Sequence, residues 1–209
     1  VIAFYDYELS ADAYKAKLLM LLLDVPFAAT TVDVYPARED RAEWFLRVNP
    51  AGTLPVVVDG ATTVAGVQPV LAHLAAAYDR SGRWSPSDPA TAGAVAHWLA
   101  FADQLAQTAG AARKHDCIFA TDVDAPAARE RAHALLRELD EALWFAEQTG
   151  GGWLVAGDHP TIADIACFPD AMLAEEGGIP LHAYRAVRRW TDRIKALPNF
   201  TPMPGMFAL

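Results

Sequence analysis

The 209 residues allow one large domain or two modest ones, with enough length to bury a real core. A net charge of −9 excludes the basic stripe of a general nucleic-acid binder. The longest apolar run, Leu18 to Leu23, ends at Asp24, far short of the ~20 residues of a membrane span.

The first element is a short buried-strand run, "VIAFY", with no basic, apolar leader before it; a cytoplasmic protein is the expectation. From Asp12 the period changes, and Tyr14, Leu18, Leu21 and Leu22 share a helical face, with Lys15 and Lys17 off it. Phe27 to Val34 is β-branched and strand-like. Glu39 to Val48 reads as a short helix, and Leu54 to Ala65 as two strands around an Asp59-Gly60 turn. Residues 67–78 then read as a helix, with Gly66 bending the chain and Pro69 in the first turn. No Ser, Thr, Asp or Asn stands at that junction to cap it. The order βαβαββα gives a mixed α/β domain over residues 1–79.

A stretch rich in Gly, Ser and Pro follows, and residues 80–88 read as a linker. Asp88-Pro89 is a helix start, and residues 89–209 look all-helical. Ala128, Ala132, Leu135, Leu139 and Leu143 form one apolar stripe there; Tyr184, Val187, Trp190 and Ile194 form another. Thr161 and Asp164 make a Thr-x-x-Asp capping box, a folding role rather than a catalytic one. Cys117 and Cys167 lie far apart and outside any metal pattern, which reads as two free thiols in a reducing compartment. The six histidines show no paired metal spacing.

Four segments carry a resemblance. "NPAGTLPVVVDG" (Asn49 to Gly60), "DHPTIADIACFP" (Asp158 to Pro169), "ELSADAYKAKLLMLLL" (Glu8 to Leu23) and "EGGIPLHAYRAVRRWTDRIKALPNF" (Glu176 to Phe200) resemble cytosolic glutathione transferases, the latter two their bacterial serine-type members. The resemblance implies an N-terminal thioredoxin-like βαβαββα domain followed by a C-terminal helical bundle. It implies a homodimer that activates glutathione, its co-substrate, for attack on a small electrophile or a peroxide, with no metal, nucleic acid or membrane involved.

By that resemblance Pro55 follows a cis peptide, and the backbone of Leu54 pairs with the cysteinyl part of glutathione. Ser10, at the strand-to-helix turn, is the hydroxyl that stabilises the thiolate, since a free thiol titrates near ~8.5. Tyr7 in the same turn is the alternative, and an ordinary N-cap is the other role open to Ser10. No cysteine occurs from residue 1 to 116, which excludes disulfide chemistry in the first domain. Gly66 and Val67 fall where most members place an acid and a Ser for the γ-glutamyl group. The Val67 N–H and the helix dipole are what remain of that anion site. Arg41, with Arg38 beside it, is the basic candidate for the glycine carboxylate. The co-substrate pocket is expected between the domains, along Phe101, Leu105, Thr108 and Ala112, with Arg113 beside them. A second reading, a non-catalytic relative acting as a ligand-binding or protein-interaction module, follows from Gly66-Val67.

Overall fold

The computed structural model describes residues 1–118 and 122–206. Its first part runs β1 (Ile2–Asp6), α1 (Ala11–Leu22), β2 (Phe27–Thr31), α2 (Glu43–Leu46), β3 (Val56–Asp59), β4 (Thr62–Ala65) and α3 (Val67–Tyr78), the expected βαβαββα order. The sheet order is β2-β1-β3-β4, with β1 parallel to β2 and the other pairs antiparallel. Ile2 stands opposite Phe27, Phe4 opposite Val57, and Val57 opposite Val64.

Strand alternation divides the apolar residues between two faces. Ile2, Phe4 and Val57 pack with Leu18 of α1 and Leu71 and Leu74 of α3. Val56 points the other way, to Phe45 of α2 and to Val32. Two elements are shorter than their sequence suggests. After Val32, whose N–H still reaches Asp6 C=O, Asp33 and Glu39 bond to each other twice and close a loop. That pairing ends β2 at Thr31 and leaves α2 a single turn behind a 3₁₀ turn at Glu39–Arg41.

The second part contains α4 (Pro89–Leu105), a π-helical turn (Ala106–Gly110), α5 (Ala111–Ile118), α6 (Ala125–Gln148), α7 (Ile162–Met172) and α8 (Arg185–Lys195). Asp88 caps α4 by accepting from Thr91 N–H, as Asp124 caps α6 through Ala127 N–H. On α6 the buried residue is Leu136, not the Leu135 of the expected stripe; Ala128, Ala132, Leu139 and Leu143 are buried as read. Helix α7 is buried from Ile162 through Ala171 and packs on both α4 and α1. Lys15, expected off the apolar face of α1, is buried as well.

The start of α7 is held by more than a cap. The Thr161 hydroxyl accepts from Ala163 N–H, and Asp164 Oδ2 accepts from Thr161 N–H at 2.8 Å. Asp164 Oδ1 also takes the Leu154 N–H at 3.0 Å and the Trp190 indole N–H at 2.9 Å, which ties α7 to α8. Asp164→Ala orphans several buried donors at once. It should lower stability by about 2–3 kcal/mol in urea denaturation, beyond the ~1 kcal/mol of a typical lost cap expected for Thr161→Ala. Equal losses in the two variants would show that the extra bonds contribute nothing.

Candidate active-site cleft

A cleft of about 660 Å³ opens between the loops at one end of the sheet and helix α5. Tyr7, Ser10, Tyr35, Pro36, Arg38 and Leu54 line one side, and Lys114, Ile118 and Asp122 the other. Ser10 is there because β1 stops at Asp6 and the chain turns, with Ser10 N–H on Tyr7 C=O at 2.8 Å. Its extended backbone (φ −81°, ψ 108°) makes it the N-cap of α1, and its Oγ accepts the Ala13 N–H at 3.1 Å. A hydroxyl that accepts one bond can still donate another. Among the described residues the Ser10 O–H donates to nothing, and it sits at the positive end of α1, in the cleft.

Tyr7 differs in that respect. Its O–H donates to Tyr35 C=O at 3.2 Å. Burial, and then the Asp33 and Glu8 carboxylates, push its pKa up, so the phenol keeps its proton. Leu54 lines the cleft and the Leu54–Pro55 peptide is cis. A second cis peptide, Tyr35–Pro36, borders the same space; nothing in the sequence reading pointed to it.

Gly66 and Val67 are not among the cleft-lining residues. Gly66 N–H bonds to Pro55 C=O at 2.9 Å, and Val67 packs on the core. Gly66 caps α3 with φ +93° and ψ 152°, a conformation that favours glycine. An acidic side chain there would find space but carry about 1–3 kcal/mol of backbone strain. Restoring polarity at this junction is therefore better tried at Val67. Val67→Ser should cost only the packing of a half-buried valine, whereas Gly66→Asp should lower the melting temperature further. Thermal melts of the two variants decide this, and equal melting points would contradict the role given to the positive φ.

Two groups of expected site residues do not line this cleft. Arg41 is one: its Nε lies 3.0 Å from Asp40 Oδ2 and its NH1 reaches Ala51 C=O. Arg38 faces the cleft instead, in left-handed backbone with its Nε 3.4 Å from Asp40 Oδ1. Gly52 admits this arrangement, because a Cβ on it would lie 2.6 Å from Asp40 C=O. The co-substrate wall is also different. Phe101, Leu105 and Ala112 are buried in the helical core, and the Thr108 hydroxyl is bonded back to Gln104 C=O. Arg113 is buried too, and none of the five lines the cleft. The side they share is turned into the helical core, both before and after the π-helical turn at Ala106–Gly110. Lys114 and Ile118, one α-helical turn apart on α5, line the cleft.

Charges are clustered beneath Ser10. Lys15 Nζ lies 3.0 Å from Asp12 Oδ1 and 2.6 Å from Asp170 Oδ2, with both the Lys15 and Asp170 side chains 2% exposed. Lys114 Nζ lies 3.3 Å from the other oxygen of Asp12. Burial opposes ionisation of Asp12, but the two ammonium groups outweigh it and hold the carboxyl well below the usual range. Burial likewise works against the Lys15 ammonium, and Asp170 and Asp12 more than offset it. Both groups stay charged at neutral pH. Among the described residues no group of three His, Cys, Asp or Glu side chains could hold a metal, and no helix is long and apolar enough to cross a membrane.

Comparison with known proteins places these features in context. The family described as "Glutathione S-transferase, N-terminal domain" matches residues 10–77. Mouse glutathione S-transferase theta-1 is 28% identical over 178 residues, covering 83% of this chain and 73% of that protein. The trimodular acetylaranotin synthesis protein ataIMG of Aspergillus terreus is 24% identical over 192 residues; the match covers 88% of this chain but 18% of that longer protein. A glutathione S-transferase structure from Xanthobacter autotrophicus Py2 superposes with a TM-score of 0.85 at 26% identity, covering 99% of this chain and 98% of that one.

Proposed function

The chain belongs to the glutathione transferase superfamily, and from that premise we propose that it is an enzyme of the serine type, in which Ser10 activates the thiol of glutathione. The observation that carries this reading is the Ser10 hydroxyl, held in the cleft at the start of α1 with its proton uncommitted among the described residues. A thiol placed against it gains a hydrogen bond in its ionised form and the positive end of the helix, both of which lower its pKa. Leu54 offers backbone for the cysteinyl part, and Arg38 is the cation for a terminal carboxylate. The electrophile, or a peroxide, would be presented from the wall at Lys114 and Ile118. Catalysis then needs little beyond positioning and thiolate stabilisation.

We place the thiol site in residues 1–79, the linker at 80–88, and the helical domain at 89–209. The enzyme is proposed as a cytoplasmic homodimer serving detoxification. Light scattering should give about twice the chain mass at micromolar concentration, and a clean monomer would contradict the assembly. The decisive test is retention on immobilised glutathione together with conjugation of a small electrophile. The absence of both retention and turnover would favour a non-catalytic binding module, the reading supported by the apolar Gly66-Val67 junction outside the cleft.

A further inference from the structure

We propose that Arg113 and Lys114, neighbours on α5, are positioning residues for Ser10, gripping Leu9 before it and Asp12 after it. The inference rests on Ser10 as the thiol-binding hydroxyl. Arg113 NH1 donates to Leu9 C=O at 2.8 Å, immediately before Ser10. Lys114 Nζ lies 3.3 Å from Asp12 Oδ2, two residues after it. The turn that presents the hydroxyl is therefore held on both sides by the helical domain.

The guanidinium is itself oriented. Arg113 Nε donates to Glu176 Oε2 at 2.6 Å, and the Arg113 side chain is 4% exposed. Glu176 lies in a 3₁₀ turn, Ala174–Gly177, packed closely on α5: a Cβ on Gly177 would sit 2.7 Å from Arg113 N. The fixed fork of arginine suits this geometry, with one edge on a carboxylate and the other on a carbonyl. A lysine has no such fixed fork to span the two.

Lys114 has a second consequence. Asp12 stands in the first turn of α1, where its charge opposes a thiolate held at Ser10. Lys114, together with Lys15, neutralises that charge from the cleft wall. Ile118 continues the same wall one turn later, so the helix that would receive an electrophile also holds the catalytic turn.

The test titrates the bound thiol directly. Ultraviolet absorbance of glutathione thiolate is followed against pH in the wild type, Arg113→Lys, Lys114→Gln, Ser10→Ala and the two double variants. Thermal melts run alongside, and Glu176→Gln loosens Arg113 without altering the cleft surface. Arg113→Lys, Lys114→Gln and Glu176→Gln should each move the midpoint to higher pH, cutting the thiolate fraction at neutral pH by about 10-fold, as small misplacements of a catalytic group do. In the Ser10→Ala background Arg113→Lys should add little, and Lys114→Gln should keep only the smaller shift that comes from unmasking the Asp12 charge. An equal shift in both backgrounds would mean direct action on the sulfur and overturn positioning. An unmoved midpoint with a lowered melting temperature would leave a structural role alone and overturn it too. No thiolate band in the wild type, or an unmoved midpoint in Ser10→Ala, defeats the reading of Ser10 itself, and the clamp with it.

Discussion

Lys15→Met should lower stability by about 3–5 kcal/mol, the loss typical of a buried ion pair deprived of one partner. Asp170 lies 2.6 Å from the ammonium and is shut from water, so the substitution leaves its carboxylate buried without a counter-charge. A partial remedy follows. Lys15→Met combined with Asp170→Asn should recover much of the loss, because the amide is neutral and of the same size. Size matters there, since a Cβ on Gly110 would already stand 2.5 Å from Asp170 Oδ1.

The pH dependence has a definite sign. The folded pKa of Lys15 is raised, so its contribution is complete below its unfolded value near ~10.4 and is lost as pH rises through the folded one. The folded pKa of Asp12 is lowered, so its contribution is present above ~3.9 and is lost as pH falls through the folded value. Asp170 has the opposite sign: burial raises its folded pKa, so its ionisation costs stability as pH rises past ~3.9, while the Lys15 and Asp12 contributions are both present from about pH 4 to pH 10. In Lys15→Met, acid allows the orphaned Asp170 to take up a proton, so the gap to wild type should narrow as pH falls. Urea denaturation at several pH values checks both statements. A gap that does not change with pH would remove Asp170 ionisation as the cause.

The largest effect on activity is expected at Ser10. Loss of a hydrogen bond to a charged sulfur is worth about 1.5–3 kcal/mol, or roughly 10- to 150-fold in rate at neutral pH. The pH–rate profile should move upward by about 1–2 pH units, so activity returns in mild alkali. Ser10 also caps α1, and Ser10→Ala removes that bond as well. Ser10→Gly separates the two roles, because glycine at an N-cap costs only a few tenths of a kcal/mol and has no side-chain donor. It should melt close to wild type and conjugate as slowly as alanine. If Ser10→Gly keeps full activity and Tyr7→Phe loses it, the thiol belongs to Tyr7.

Local patterns carried most of the fold. The Asp59-Gly60 turn, the strand alternation and the helix caps are short-range signals, and the βαβαββα order follows from them. Lys15 was not legible. Helix α1 is buried on nearly every side, so a lysine lies inside it where an amphipathic reading puts it outside. Its partner Asp170 is far away in the chain and bears no local mark. The cleft was half legible: Ser10, Tyr7 and Leu54 sit at a recognisable turn and strand start. The wall at Lys114 and Ile118 was not, because an apolar helical face that lines a cleft and one that packs in the core have the same pattern, and Phe101, Leu105 and Ala112 are core. Arg41 and Arg38 are chemically alike, and only the approach of Asp40 to Gly52 decides which one faces inward.

The stretch from Arg80 to Asp88 has the composition of a hinge, but it is pinned at its centre. Trp84 is buried, its N–H bonds to Asp79 and its C=O receives the Ile162 N–H, while the His159 ring meets it edge-on. The buried Lys15–Asp170 pair also crosses between the two parts, so swinging them apart would cost both this pair and the Trp84 anchor. A protease that needs an extended loop would have to break the Trp84 anchor first, despite the glycine, the serines and the one proline. Ligands must therefore reach the cleft through its standing mouth. Their arrival should depend on diffusion and local charge rather than on a closing motion of the two halves.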